Sequence, residues 1–324
     1  MTDNFWKSRK VLITGGTGLI GTYVVKALLD KEATVYCLVQ EVQNDSNFVK
    51  WGLDKKVHIL AGTVLDYNLI NLSLCKHEID TVFHLAAQPL VRLALEKPYE
   101  TLQVNCFGTL NVLEACRLNN IKRIIIASSD KAYGSQDKLP YTESSPLQGT
   151  YPYDVSKSVT DLLAQSYGKT YSLPVAIARF SNVYGGGDLN FDRIVPETIK
   201  HLLLDEPILI RSNGKFIREF FYVKDAARAY LALAENVERL NLRGEAFNFG
   251  TDTPVVILDL VNLIKKISGK NDAEIKILDT AKAEIKDQFL SSEKARKVLG
   301  WEPKYNLEDG LKETYQWYKE HFKK

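Results

Sequence analysis

Short apolar runs alternate with longer amphipathic stretches through the first 180 residues. Lys10–Thr14 (KVLIT), Thr34–Val39 (TVYCLV), Val57–Ala61, Asp80–Leu85 (DTVFHL), Arg123–Ser128 (RIIIAS) and Pro174–Arg179 (PVAIAR) are of strand length and nearly continuously apolar. That is the pattern of strands covered on both faces in a parallel sheet. Between them, the stretch ending near Asp30, the stretch Pro98–Asn119 and the stretch holding Tyr153 and Lys157 read as helices. Strands alternating with helices at this spacing predict an α/β doubly wound parallel sheet. Ligands of such sheets bind beyond the strand carboxyl ends, where Gly15, Ala86, Ser129 and Ser181 fall.

After Phe180 the alternation loosens. A glycine-rich loop (Tyr184 to Asp188) is followed by a helical segment, an Asn213-Gly214 turn between extended residues, a further strand at Glu245–Phe249 and more helices. The expected division is a first domain over residues 1–180 and a smaller C-terminal α/β substrate-binding lobe over 181–324, with some segments packing back on the first domain.

Composition narrows the function without naming it. The 324 residues carry a net charge of +2, with 45% hydrophobic and 25% charged residues. Such a balance gives no field that would recruit nucleic acid or a membrane surface. Cys37, Cys75, Cys106 and Cys116 lack CxxC spacing, and His58, His77, His201 and His321 share no spacing, so no metal site is expected. His84 lies inside an apolar strand, as a satisfied core histidine would. The first residues lack the apolar core of a signal peptide, and no apolar run approaches the ~18 residues of a membrane span. A cytoplasmic location is the expectation.

Two motifs carry chemistry. Gly15, Gly18 and Gly21 follow the first strand at once and open a helix. This is a tight turn that lets a pyrophosphate approach the backbone and lie on a helix N-terminus, as in a Rossmann-type domain. At the end of the second strand stand Gln40 and Glu41, with no arginine to attract a 2′-phosphate, which favours NAD over NADP. Asp66, after the third strand, suits either the adenine amino group or a helix N-cap. The second motif is Tyr153 and Lys157, one helical turn apart on one face. A tyrosine is a poor base near neutral pH, and an adjacent ammonium favours its phenolate.

Together TGGTGLIG, HLAAQPLVR, VNCFGT around Asn105, SSDKAYG, YDVSK, NVYGGGDLN and LGWEP near the end resemble the nucleotide-sugar branch of the extended short-chain dehydrogenase/reductase superfamily. The resemblance covers nearly the whole chain. Within the branch, the Asp130-Lys131 pair after Ser129, Gln88 and Arg92 in HLAAQPLVR, and GGGD followed by Arg193 are most similar to CDP-glucose 4,6-dehydratases. The Ile-Arg-Glu-Phe-Phe-Tyr-Val run around Arg218 is closer to the general epimerase/dehydratase pattern.

The resemblance implies an NAD-dependent enzyme acting on a nucleotide sugar, and a homodimer formed through the Pro98–Asn119 and Tyr153 helices. It implies NAD contacts from Gly15, Thr17, Gly18, Leu19, Ile20 and Gly21, from Leu65 and Asp66, from Leu85, Ala86 and Ala87, and from Tyr153 and Lys157. Tyr153 would take the 4-hydroxyl proton while the hydride leaves C4, with Ser129 holding the 4-oxygen. Asp130 would protonate the departing 6-hydroxyl, and Lys131 would act as the C5 base or stabilise the enolate. The hydride would return to C6, giving a 4-keto-6-deoxy sugar. Arg218, Arg193 and Asn182 would hold the diphosphate, with Gln88 and Arg92 also on the substrate side. A 4-epimerase using the same Tyr153 and Lys157 is the nearest alternative, and a non-catalytic dinucleotide-binding protein a remote one.

Overall fold

The computed structural model describes residues 5–280 and 284–323. Seven parallel strands form the central sheet: β1 (Lys10–Thr14), β2 (Thr34–Val39), β3 (His58–Ala61), β4 (Thr81–His84), β5 (Arg123–Ala127), β6 (Val175–Phe180) and β7 (Glu245–Phe249). Their order is β7-β6-β5-β4-β1-β2-β3. The order reverses at β1, which pairs Val11 with Val35 of β2 on one side and with Thr81 of β4 on the other. The connections leaving β1 and β4 run to opposite faces, so a crevice opens at the carboxyl ends of these two strands.

Side-chain alternation along the strands builds two cores. Val11, Ile13, Ile125, Ala176 and Ala178 face a layer that includes Val24, Val25 and Leu28 of helix Leu19–Leu29 and Ala226, Tyr230 and Leu233 of helix Val223–Asn236. Leu12, Ile124, Ile126, Val175 and Ile177 face the opposite layer, with Ile70 and Leu74 of helix Tyr67–Lys76, Val112 and Leu113 of helix Gly108–Leu118, and Ala164 of helix Pro152–Tyr171. The interior strands therefore bury both faces, which is why their runs lack polar alternation, while the edge strand β3 is largely exposed. Helix Val223–Asn236 and strand β7 come from beyond residue 181 yet complete the first sheet and its cover.

The remaining C-terminal segments enclose a third core of Ile199, Leu202, Ile208, Ile210, Tyr222, Leu260, Ile264, Leu311 and Tyr318. Phe220, Phe221 and Tyr222 are all buried. The stretch expected as one helix over Pro98–Asn119 is interrupted: α-helix Pro98–Leu102, a π-helical turn Gln103–Phe107, then α-helix Gly108–Leu118. The widened turn places Asn105 in the interior, where its amide donates to Gln88 O (3.1 Å) and Ser156 Oγ (2.9 Å) and its carbonyl accepts from Gln88 N (2.7 Å). Among the described residues, no helix is long and apolar enough to cross a membrane.

Candidate active site

The glycine turn closes against the end of β4. Gly15 has φ +74°, and a Cβ there would lie 2.6 Å from Ala86 N and 2.8 Å from the Leu85 carbonyl carbon. A Cβ on Gly21 would overlap Gly15 O, so helix Leu19–Leu29 starts flush against the turn. Gly18, the N-cap, has no such neighbour and is exposed. The helix has neither a side-chain cap nor an acid in its first turn. Its first N–H groups, beside Thr17, Leu19 and Ile20, could hold an anion such as a pyrophosphate. Gly21→Ala is expected to weaken dinucleotide binding at least about tenfold by isothermal titration, because backbone must move to admit one methyl group.

Asp66 is the N-cap of helix Tyr67–Lys76, its Oδ1 accepting from Leu69 N at 2.9 Å. Of the two uses expected for it, the cap is the one made here. Leu65, beside it, is exposed at the same sheet edge, and Asn111 Nδ2 donates to its carbonyl at 3.2 Å.

His84 is committed to structure. Thr14 Oγ1 lies 2.8 Å from His84 Nδ1, and His84 Nε2 lies 3.0 Å from Thr109 Oγ1, which itself donates to Asn105 O. A neutral ring satisfies all three bonds, with Thr14 donating to Nδ1 and Nε2–H donating to Thr109. Burial pushes its pKa down to about 3. Thr14 Oγ1 also accepts from Ala86 N (3.2 Å), tying the crevice floor to this chain.

Tyr153 and Lys157 lie in the first turns of helix Pro152–Tyr171, both buried. The Lys157 ammonium sits 6.0 Å from the Tyr153 ring centroid and donates to Ala127 O at 3.0 Å. Burial holds the Tyr153 hydroxyl above its ordinary range, and the groups opposing that are Arg193 and a hydrogen bond with Ser129. Burial brings Lys157 itself down to about 8.

Ser129 caps the short turn Asp130–Tyr133, so β5 delivers its hydroxyl, Asp130 and Lys131 together beside Tyr153. Asp130 is 2% exposed; its Oδ1 accepts from Ser129 Oγ at 3.0 Å and lies 3.6 Å from Lys131 Nζ. Its Oδ2 has no partner, and neither do the buried hydroxyls of Ser128 and Ser181 at the ends of β5 and β6. Buried polar atoms are rarely left unpaired, so this edge is shaped for a polar ligand. Lys131 Nζ bonds Gln288 Oε1, and burial draws its pKa down against the pull of Asp130.

Asp154 joins this group and was not singled out from the sequence. It is 3% exposed, and burial raises its pKa to about 6 although Lys131 pulls it back. An acid in the first turn of a helix reads as a cap, which hid it.

The substrate-side residues divide. Arg193 reaches the Tyr153 hydroxyl's neighbourhood and is anchored by Asp188 Oδ2 at 2.9 Å. Arg218 lies near Asp130 and Lys131, but its guanidinium is bonded to Ile217 O (3.0 Å) and to the carbonyls of Ile285 and Lys286. Asn182 Nδ2 donates to Glu219 O at 3.0 Å. The side-chain amide of Gln88 is consumed by Leu90 N (2.6 Å), Leu90 O (3.1 Å) and Thr101 Oγ1 (2.9 Å), so the structure uses it to hold the loop after β4 rather than offering it to a substrate. Arg92 is 71% exposed and pairs with Glu96 and, across the crevice mouth, with Asp192 at 3.9 Å.

The chain is similar to known proteins in sequence and fold. The family model for GDP-mannose 4,6 dehydratase matches residues 12–314. A trifunctional UDP-glucose 4,6-dehydratase/3,5-epimerase/reductase of Arabidopsis thaliana is 30% identical over 327 residues, covering 98% of this chain; the chain spans 48% of that protein's length. A CDP-glucose 4,6-dehydratase of Salmonella typhimurium is 29% identical, covering 98% of this chain and 92% of its own. The NAD-bound dTDP-glucose 4,6-dehydratase of Streptomyces venezuelae superposes with a TM-score of 0.88 at 26% identity, covering 96% and 97% of the two chains. UDP-glucose 4-epimerase of Thermotoga maritima, solved with UDP-glucose, gives 0.87 at 29%, covering 97% and 99%. The chain therefore belongs to the GDP-mannose 4,6 dehydratase family within the extended short-chain dehydrogenase/reductases, among whose members are nucleotide-sugar dehydratases and epimerases.

Proposed function

We propose that this protein is a nucleotide-sugar 4,6-dehydratase of the CDP-glucose type, converting the hexose to its 4-keto-6-deoxy form. One observation carries the reading: Asp130 presents a buried, unpartnered carboxylate oxygen beside Ser129, Lys131 and Tyr153. Elimination of water needs an acid for the departing 6-hydroxyl, and epimerisation at C4 does not. In the crevice, residues 1–180 would bind NAD and residues 181–324 the nucleotide sugar. Bound NAD supplies the acceptor for the C4 hydride and its donor at C6.

The chain's own groups divide the remaining work. Ser129 holds the 4-oxygen while Tyr153 takes its proton, with Arg193 a nearby cation that favours the phenolate. Lys157, fixed by Ala127 O, would serve the nicotinamide ribose. Asp130 protonates the departing 6-hydroxyl, and Lys131 stands beside it for the C5 proton or the enolate oxygen. Arg193 and, once released from the Ile285 and Lys286 carbonyls, Arg218 would meet the diphosphate.

Structural likeness weighs equally for a 4-epimerase, which makes that the second reading. Incubation with CDP-, dTDP-, UDP- and GDP-hexoses separates them: the dehydratase product is lighter by one water, and an epimerase product keeps its mass. Asp130→Asn is expected to cut water loss at least about a hundredfold; wild-type rates in that variant would remove Asp130 from the mechanism. A second copy of the chain is the proposed partner. Tyr99 (72% exposed), Phe107 (60%) and Leu162 (52%) lie on the segments expected to pair, and sedimentation would show a dimer. The proposed location is the cytoplasm, which cell fractionation tests.

A further inference from the structure

We propose that Gln288 is a specificity-determining residue of the substrate pocket: its side-chain Nε2–H donates to the 6-oxygen of the hexose, the oxygen that Asp130 protonates. The place of the 6-hydroxyl rests on the dehydratase reading; the unused amide donor near Asp130 does not. Gln288 is fully buried, and only one of its two amide atoms is used. Oε1 accepts from Lys131 Nζ, while Nε2 has no partner among the described residues. Because an ammonium group only donates, the lysine fixes which end of the amide faces it and turns Nε2 to the other side. Asp130 is arranged around the same ammonium in the same way. Its Oδ1 lies 3.6 Å from Lys131 Nζ, and its buried Oδ2 is unpartnered. A buried polar atom without a partner carries a desolvation cost that a ligand atom relieves. A hydroxyl oxygen has two lone pairs, so it can take an amide N–H and an acid proton together. An oxygen that departs as water gathers negative charge on the way, which a fixed donor stabilises.

The backbone on both sides of Gln288 is pinned. Strand Asp287–Gln288 pairs in parallel with Ile217–Arg218, and Ile217 N donates to Asp287 Oδ1 at 3.0 Å. Leu290 N donates to Oε2 of the buried Glu219 at 3.1 Å. Tyr141 N donates to Phe289 O at 3.0 Å, and Ser291 N returns a bond to Tyr141 O at 2.8 Å. The segment therefore has little freedom to swing the amide toward another protein acceptor, and the unused donor is held in place. In this arrangement the C-terminal lobe supplies a donor to the acid site that β5 and its following turn build with Asp130 and Lys131.

The test compares CDP-glucose with CDP-6-deoxyglucose, or the same pair on the base that the hexose panel selects. Binding is measured by isothermal titration in the Tyr153→Phe background with NAD, where turnover is slowed. The 6-hydroxyl ligand is expected to bind at least about tenfold more tightly than its 6-deoxy counterpart. Adding Gln288→Met is expected to shrink that ratio at least about threefold while the 6-deoxy ligand binds as before. A residue that only holds Lys131 or the strand acts on both ligands alike, so equal weakening of the two, or an unchanged ratio, overturns the proposal. Gln288→Glu keeps the oxygen that Lys131 uses and puts an acceptor in place of Nε2. In the otherwise wild-type enzyme it is expected to slow water loss at least about tenfold, and an unslowed water loss also overturns the proposal. If the hexose panel shows no water loss while the affinity ratio still shrinks, Gln288 recognises the 6-hydroxyl and the dehydratase reading is what failed. Water loss with an unmoved ratio is the reverse case, in which the proposal fails and that reading stands.

Discussion

Tyr153→Phe is expected to lower turnover about a thousandfold while leaving NAD bound. The ring is 9% exposed and packed, and phenylalanine keeps that shape. Lys157 stays fixed by Ala127 O, so the cofactor side of the pocket is undisturbed. Only the hydroxyl is lost, together with its hydrogen bond to Ser129 and its attraction to Arg193. General-base transfer is worth about a hundred- to ten-thousandfold. Burial raises this hydroxyl while Arg193 and Ser129 oppose it, which marks it as a group whose ionisation the pocket controls. Steady-state kinetics with cofactor stoichiometry checks the result. More than a tenth of wild-type turnover in the variant would show that another group takes the 4-hydroxyl proton.

The largest stability effect should come from behind the site. Arg179 is bidentate to Asp161 (Nε to Oδ2 and Nη2 to Oδ1, both 2.7 Å), with side chains 2% and 0% exposed. Arg179 Nη1 also donates to Tyr133 OH at 2.7 Å, and Tyr133 OH donates to Asn248 Oδ1 at 2.6 Å. The network thus joins helix Pro152–Tyr171, β6, the end of the Asp130–Tyr133 turn and β7. Asp161→Ala leaves a buried guanidinium without its counter-charge and is expected to cost about 3–5 kcal/mol in chemical denaturation. The double substitution Asp161→Leu with Arg179→Met removes both charges and should recover much of that loss. Equal destabilisation by the single and double variants would mean that the pair, rather than its imbalance, carries the stability.

The legible part of the sequence was the part fixed by local pattern. Doubly buried strands such as KVLIT and RIIIA announce themselves because both faces must be apolar. The glycine turn was legible because backbone meets backbone at Gly15 and Gly21. What depended on tertiary partners stayed hidden. Gln88 sits in a substrate-like motif, yet its amide is spent on Leu90 and Thr101. Asp154 follows the tyrosine at a position where capping explains an acid, and only the packing of the helix on the Asp130–Tyr133 turn brings it near Lys131. The π-helical turn at Gln103–Phe107 leaves the apolar periodicity nearly intact, so a single helix was expected. Lys157 was expected beside Tyr153 by spacing alone, whereas the bond of its ammonium to Ala127 O and the approach of Arg193 to Tyr153 depend on tertiary packing.

The most direct measurement follows a deuterium label placed at C4 of the hexose in the nucleotide sugar that the enzyme accepts. The account predicts a product lighter by one water with the deuterium at C6, abolished in Tyr153→Phe. A product of unchanged mass with the deuterium retained at C4 would contradict it and identify a 4-epimerase.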